Sequence, residues 1–104
     1  MSYRINLHPS VETDLFEITE FIAAYAGLRV ANLKVDEIIC FIDRLADFPK
    51  IGSIRSDVLE GMRAVPAGEN AVVCFTVNDT TITVTILCIS YAGSDWTTRT
   101  GKRR

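Results

Sequence analysis

The stretch NAVVCFTVNDTTITVTILCIS, Asn70 to Ser90, decides how this chain folds. NAVVCFTV is rich in β-branched and aromatic residues, as strands are. Asn78 and Asp79 supply tight-turn chemistry. TTITVTILCIS then predicts a longer strand. Strict alternation places Ile82, Val84, Ile86 and Cys88 on one face, and Thr81, Thr83, Thr85, Leu87 and Ile89 on the other. The threonine face begins polar and ends apolar, so deeper cover is expected at one end. A strand pair of this kind needs a second layer to bury its apolar face.

Working upstream, PAGE is a turn and GMRAV a short strand. PKIGSIRSD reads as a connection. Two helices precede it. Pro9 and Ser10 break an opening strand, YRINLH, and start the first helix. In that strand Tyr3, Ile5 and Leu7 share one face; Arg4, Asn6 and His8 share the other. Val11, Leu15, Ile18, Ile22 and Tyr25 then recur at helical spacing. Glu12, Asp14, Glu17 and Glu20 crowd the early turns, where the helix dipole favours acids. They read as a solvated face. Gly27 ends this helix or begins the turn. A second helix is predicted from near Ala31, with Val35, Ile38, Ile42 and Leu45 inside and Ile39 and Phe41 widening the stripe. Pro49 forbids a regular continuation. The order is β-α-α-β-β-β: an α+β fold in which a small, mainly antiparallel sheet packs against a helical hairpin.

A chain of 104 residues fits one domain. The domain is expected over residues 1–98, followed by a basic C-terminal tail over residues 99–104. Hydrophobic residues make up 48% and charged ones 23%, which argues against a wholly disordered chain. No apolar run approaches the ~20 residues that span a bilayer. MSYRINLHPS carries no long apolar segment of a secretory signal. A cytoplasmic protein with no membrane partner is expected. Cys40, Cys74 and Cys88 are widely spaced in apolar runs and read as buried reduced thiols. A zinc site would need a fourth ligand, and His8 is the only histidine, so no metal or other cofactor is expected.

Charge is uneven. Residues 1–98 hold seven basic and thirteen acidic side chains, whereas RTGKRR holds Arg99, Lys102, Arg103 and Arg104. The acidic body offers no electrostatic reason to bind nucleic acid. The tail reads as a solubilising end that can also touch phosphate.

Catalytic motifs are absent. There is no GxGxxG, no P-loop, no GxSxG and no HExxH. His8 reads as structural or solvent-facing. Arg55 and Arg63 are either solvated side chains or planar clamps for phosphate or carboxylate. YAGSDW follows the longest strand directly: Gly93 permits a sharp turn, Asp95 can cap or pair, and Trp96 either closes the core or anchors an interface.

In order and spacing, HPSVETDLFEI (8–18), LADFPKIG (45–52), RSDVLEGMR (55–63), AVVCFTV (71–77) and ILCISYAGSD (86–95) resemble the ParE branch of the ParE/RelE toxin superfamily, over about residues 3–96. The resemblance implies a toxin of a bacterial type II toxin–antitoxin module. In such a fold the last three strands are antiparallel and the first lies beside the last. It implies a ParD-like antitoxin that wraps the toxin with its C-terminal segment, operator DNA contacted through that antitoxin, and DNA gyrase as the target, without a nuclease centre. Arg63 matches the family's recurrent arginine at the start of the sheet. With Tyr91, Asp95 and Trp96 it forms the expected target-binding set. RelE-like relatives instead cleave messenger RNA at the ribosome; on that alternative Arg55, Arg63 and Tyr91 approach the phosphate. Cys88, Tyr91 and Ser94 stand where the family often has arginine, histidine and arginine. That loss of positive charge points away from ribonuclease chemistry. A diverged, non-toxic antitoxin-binding module is the third reading.

Overall fold

The structure is a computed structural model that describes residues 2–68 and 70–93, together with Thr100 and Arg103. Its elements are β1 (Arg4–Leu7), α1 (Ser10–Ala26), α2 (Leu28–Arg44), β2 (Ser53–Ile54), β3 (Arg63–Pro66), β4 (Ala71–Asn78) and β5 (Thr83–Tyr91). The strands form one mixed sheet in the order β1-β5-β4-β3-β2. β1 runs parallel to β5, and the other neighbours are antiparallel. The α+β reading and the place of the first strand beside the last are therefore observed.

The helical hairpin covers one face. Val11, Ile18 and Ile22 of α1 and Ala31, Ile38 and Ile42 of α2 pack with Val73, Phe75, Val84, Ile86 and Ile89 of the sheet. The opposite face carries a smaller cluster of Met62, Ala64, Cys74, Leu87 and Cys88, packed by Val58 and Leu59 from the loop before β3. Both faces of β4 and β5 are thus covered, which explains their near-continuous apolar runs.

Several expectations are corrected. The connection PKIGSIRSD contains a two-residue strand, β2, paired with β3. Gly52, at φ +80°, makes this possible: a Cβ there would sit 2.6 Å from the carbonyl oxygen of Ala64. The second helix starts at Leu28 rather than Ala31. A single residue, Gly27 at φ 90° and ψ 160°, reverses the chain, and its N–H bonds the Ala23 carbonyl. Tyr25 and Cys40, expected inside, are exposed, whereas Asp14 of the supposed solvated face is buried.

Strict alternation in β5 also fails. Cys74 pairs with Cys88, but Phe75 pairs with Ile86, so Leu87 is an extra residue. This bulge shifts the phase of the strand. Ile86 and Ile89 both face the helices, and Leu87 and Cys88 both face the smaller cluster.

Candidate functional site

β1 pairs with only the first half of β5. β1 ends at Leu7, opposite Ile86, and the His8 N–H makes one further bond to the Ile86 carbonyl at 2.8 Å. The chain then turns into α1, whose first turn is ordered by His8: its Nδ1 accepts from the Ser10 N–H at 3.1 Å. Histidine here is structural, as expected.

Past that point side chains take over from backbone. The Ile89 N–H donates to Asp14 Oδ2 at 3.0 Å. Arg103 Nη1 donates to the same oxygen at 2.6 Å and Nη2 to Oδ1 at 2.9 Å, a two-pronged pair. Nη1 also reaches the Leu87 carbonyl at 3.1 Å. Asp14 is 2% exposed and the Arg103 side chain 15%. The Asp14 carboxylate, first through its hydrogen bonds, holds the Arg103 guanidinium above its ordinary range. Residues 89 apart in sequence are thus joined. No spacing rule announces such a contact; only the buried place of Asp14 on the α1 face betrays it.

Beside this pair a cleft of about 340 Å³ is lined by Asp14, Glu17, Ile18, Phe21, Ile89 and Tyr91, closed by Ala92 and Gly93. Its aromatic wall is built edge to face. The ring of Phe21 lies 5.6 Å from Tyr25 and 6.0 Å from Tyr91. A hydrogen bond between the hydroxyls of Tyr91 and Tyr25 pushes Tyr25 above its ordinary value of 10.0.

A second concavity lies at the β1 edge. Ile5, Leu7, Val11, Leu15, Ile39 and Ile42 line a groove of about 320 Å³ with Asp43 at its rim. Leu7 is 49% and Ile39 41% exposed, so apolar surface remains open to solvent.

Of the expected site residues, the described ones, Arg55, Arg63 and Tyr91, are spread across the sheet. Arg63 pairs in register with Phe75, which pairs with Ile86, whereas Tyr91 lies opposite Ala71. At about 3.3 Å per residue and about 4.8 Å per strand, their Cα atoms are roughly 16 Å apart. Arg63 Nη1 points to the Ile51 carbonyl at 3.4 Å. Arg55 is held by Asp57 through two bonds of 2.9 Å. Asp95 and Trp96 lie outside the described residues. Arg55, Arg63 and Tyr91 are therefore not gathered around one phosphate-sized point. Among the described residues no group of three His, Cys, Asp or Glu side chains is placed to hold a metal. Nor is any helix long and apolar enough to cross a membrane.

The chain is similar in fold to chains of solved structures of toxin–antitoxin systems and of a toxin. A chain of the chromosomal ParDE system of P. aeruginosa superposes with a TM-score of 0.74 at 19% identity, covering 86% of this chain and 96% of that one. A chain of the toxin–antitoxin complex RelBE2 from Mycobacterium tuberculosis gives 0.63 at 17% identity, covering 88% and 99%. A mutant of E. coli toxin RelE in the free state gives 0.66 at 8% identity, covering 97% and 95%. No curated protein matches the sequence. The model of the family described as ParE toxin of type II toxin–antitoxin system, parDE, matches residues 5–96. With its helical hairpin on a sheet ordered β1-β5-β4-β3-β2, the chain belongs to the ParE family of toxins from type II toxin–antitoxin modules.

Proposed function

We propose that the chain acts in the cytoplasm as a non-enzymatic toxin, neutralised by a ParD-like antitoxin and directed at DNA gyrase. The observation that carries the antitoxin half is the open groove at the β1 edge, lined by Leu7, Val11, Leu15, Ile39 and Ile42. A groove of apolar side chains suits the apolar face of an amphipathic helix. Asp43 at the rim and the acidic body favour basic residues flanking that face. Operator DNA is then contacted by the antitoxin, since residues 1–98 are acidic.

The toxic surface, on this reading, lies around Tyr91 and continues into Asp95 and Trp96. Tyr91 supports it by its place on an aromatic wall with exposed Phe21 and Tyr25. Exposed aromatic clusters concentrate interface energy. Arg63 belongs to a separate patch with Ile51, and in this reading it contributes to target contact from across the sheet.

Co-expression with the small open reading frame beside the gene tests the first half. A stable complex and relief of growth arrest are expected, and Leu7→Glu with Ile39→Glu should abolish both while the toxin still folds. A neighbour that neither binds nor protects would defeat the pairing. For the target, purified toxin should block gyrase supercoiling, and Trp96→Ala should remove that block while retaining antitoxin affinity. The ribonuclease alternative predicts new transcript ends at ribosomes during growth arrest. The separation of Arg63 from Tyr91 argues against that chemistry, because a general base and a charge clamp must meet at one phosphate.

A further inference from the structure

We propose that Asp14, the Leu87 carbonyl and the Ile89 N–H form an arginine-binding site that the chain fills with its own Arg103, and that a partner's arginine can exchange into it. This makes Arg103 an internal ligand instead of a solvated charge. The inference shares Phe21 and Tyr91 with the proposed toxic surface but needs no particular target.

The site is built for a guanidinium. Its carboxylate is 2% exposed and meets both Nη atoms, at 2.6 and 2.9 Å. A backbone carbonyl takes a third hydrogen bond, at 3.1 Å. A planar fork matches such a set, whereas an ammonium, with one nitrogen, cannot bond both carboxylate oxygens and the carbonyl with the same geometry. The carboxylate is itself anchored by the Ile89 N–H. The acceptor is therefore in place before a guanidinium arrives.

Exchange follows from the surroundings. The pair sits at the edge of an open cleft of about 340 Å³ with Glu17, Phe21 and Tyr91 on its walls. Glu17 adds a second negative charge felt by Arg103. Phe21 and Tyr91 add apolar surface beside the charge. A partner segment that carries an arginine among apolar residues fits both the carboxylate and the wall. Such a segment would release residue 103 and place its own arginine against Asp14 and the Leu87 carbonyl.

The test uses the whole chain. Trypsin cleaves after an arginine only when the side chain leaves its site. Cleavage between Arg103 and Arg104 should be about tenfold slower in the wild type than in Asp14→Asn, in proportion to the open population. Asp14→Asn keeps an acceptor for Ile89, and Arg103→Lys leaves the acidic site untouched; both should be cut faster while giving folded-protein amide spectra. Exchange is read by adding N-acetyl-arginine amide to Arg103→Gln. The Ile89 amide signal should shift, with a smaller shift for N-acetyl-lysine amide and none in the Asp14→Asn, Arg103→Gln double variant. Equal cleavage of wild type and both variants would overturn the latch. An unmoved Ile89 signal, or one that moves equally in the double variant, would overturn the exchangeable site.

Discussion

The two ends of β5 are each tied down by an ion pair, and the two pairs differ in nearly every physical respect. At the start of the strand, Asp79 accepts from the Tyr3 hydroxyl at 2.7 Å and from Lys50 Nζ at 2.9 Å. Both charged side chains are more than half exposed. There the strand is already sealed by backbone: Arg4 to Leu7 pair with Thr83 to Ile86. Beyond Ile86 β1 no longer pairs with the strand, and Asp14 with Arg103 bonds the Ile89 N–H and the Leu87 carbonyl. A charge in water adds little to a sheet that backbone bonds hold. A buried charge that completes a sheet edge cannot be removed so cheaply, because its partners are left without water or protein.

The comparison breaks most directly at Asp14. Asp14→Ala takes the carboxylate from the Ile89 N–H and from a guanidinium only 15% exposed, and it should cost about 3–5 kcal/mol in urea denaturation, the range for breaking a buried pair. A loss below about 1 kcal/mol would show that the two ends are energetically alike. Removing both partners sharpens the point. Asp14→Ala with Arg103→Ala should be less destabilising than the sum of the single changes, with a coupling of about 1–3 kcal/mol in a double-mutant cycle. Additivity would mean that the pair is not a unit.

A control comes from the opposite edge of the sheet, where packing of backbone alone decides. Gly52→Ala places a Cβ 2.6 Å from the Ala64 carbonyl oxygen in a left-handed conformation. Roughly 1–3 kcal/mol of destabilisation is expected, with loss of hydrogen-exchange protection confined first to β2 and β3. The smallest effect belongs to the exposed pair. The Tyr3 hydroxyl, then Lys50, hold Asp79 below its ordinary value of 3.8. A lowered carboxylate contributes fully above that ordinary value and loses the contribution as pH falls through the lowered one. Lys50→Ala should therefore change the thermal midpoint slightly at pH 7, not at all at the acid end of that window, and less in high salt. A large, salt-independent change would reverse the ranking of the two ends.

Much of the architecture was legible in the chain. The apolar runs of β4 and β5, the NDTT turn region and the helical stripes through Ile18, Ile22, Ile38 and Ile42 each follow from periodicity. The order of the family phrases from His8 to Asp95 carried the toxin-family reading, which the match over residues 5–96 supports. The candidate site was less legible. Tyr91 stands out by its place after the longest strand, whereas nothing in the spacing brings Phe21 to it. Spacing on the helical stripe points Tyr25 to the core, yet it stands exposed in the last turn of α1 beside Phe21.

What the sequence determined by itself is local: which segments are helix or strand, and that one face of each must be covered, because hydrophobic periods of 3.6 and 2 admit few other solutions. What only the tertiary structure decided is where those periods break. The bulge at Leu87 depends on the register between β4 and β5, which no single strand encodes. The burial of Asp14 depends on β1 ending four residues into its pairing, so that a carboxylate on α1 meets the Ile89 N–H of β5 and an arginine 89 residues away. Each is a contact between distant segments, and the free energy that selects it exists only once those segments are brought together.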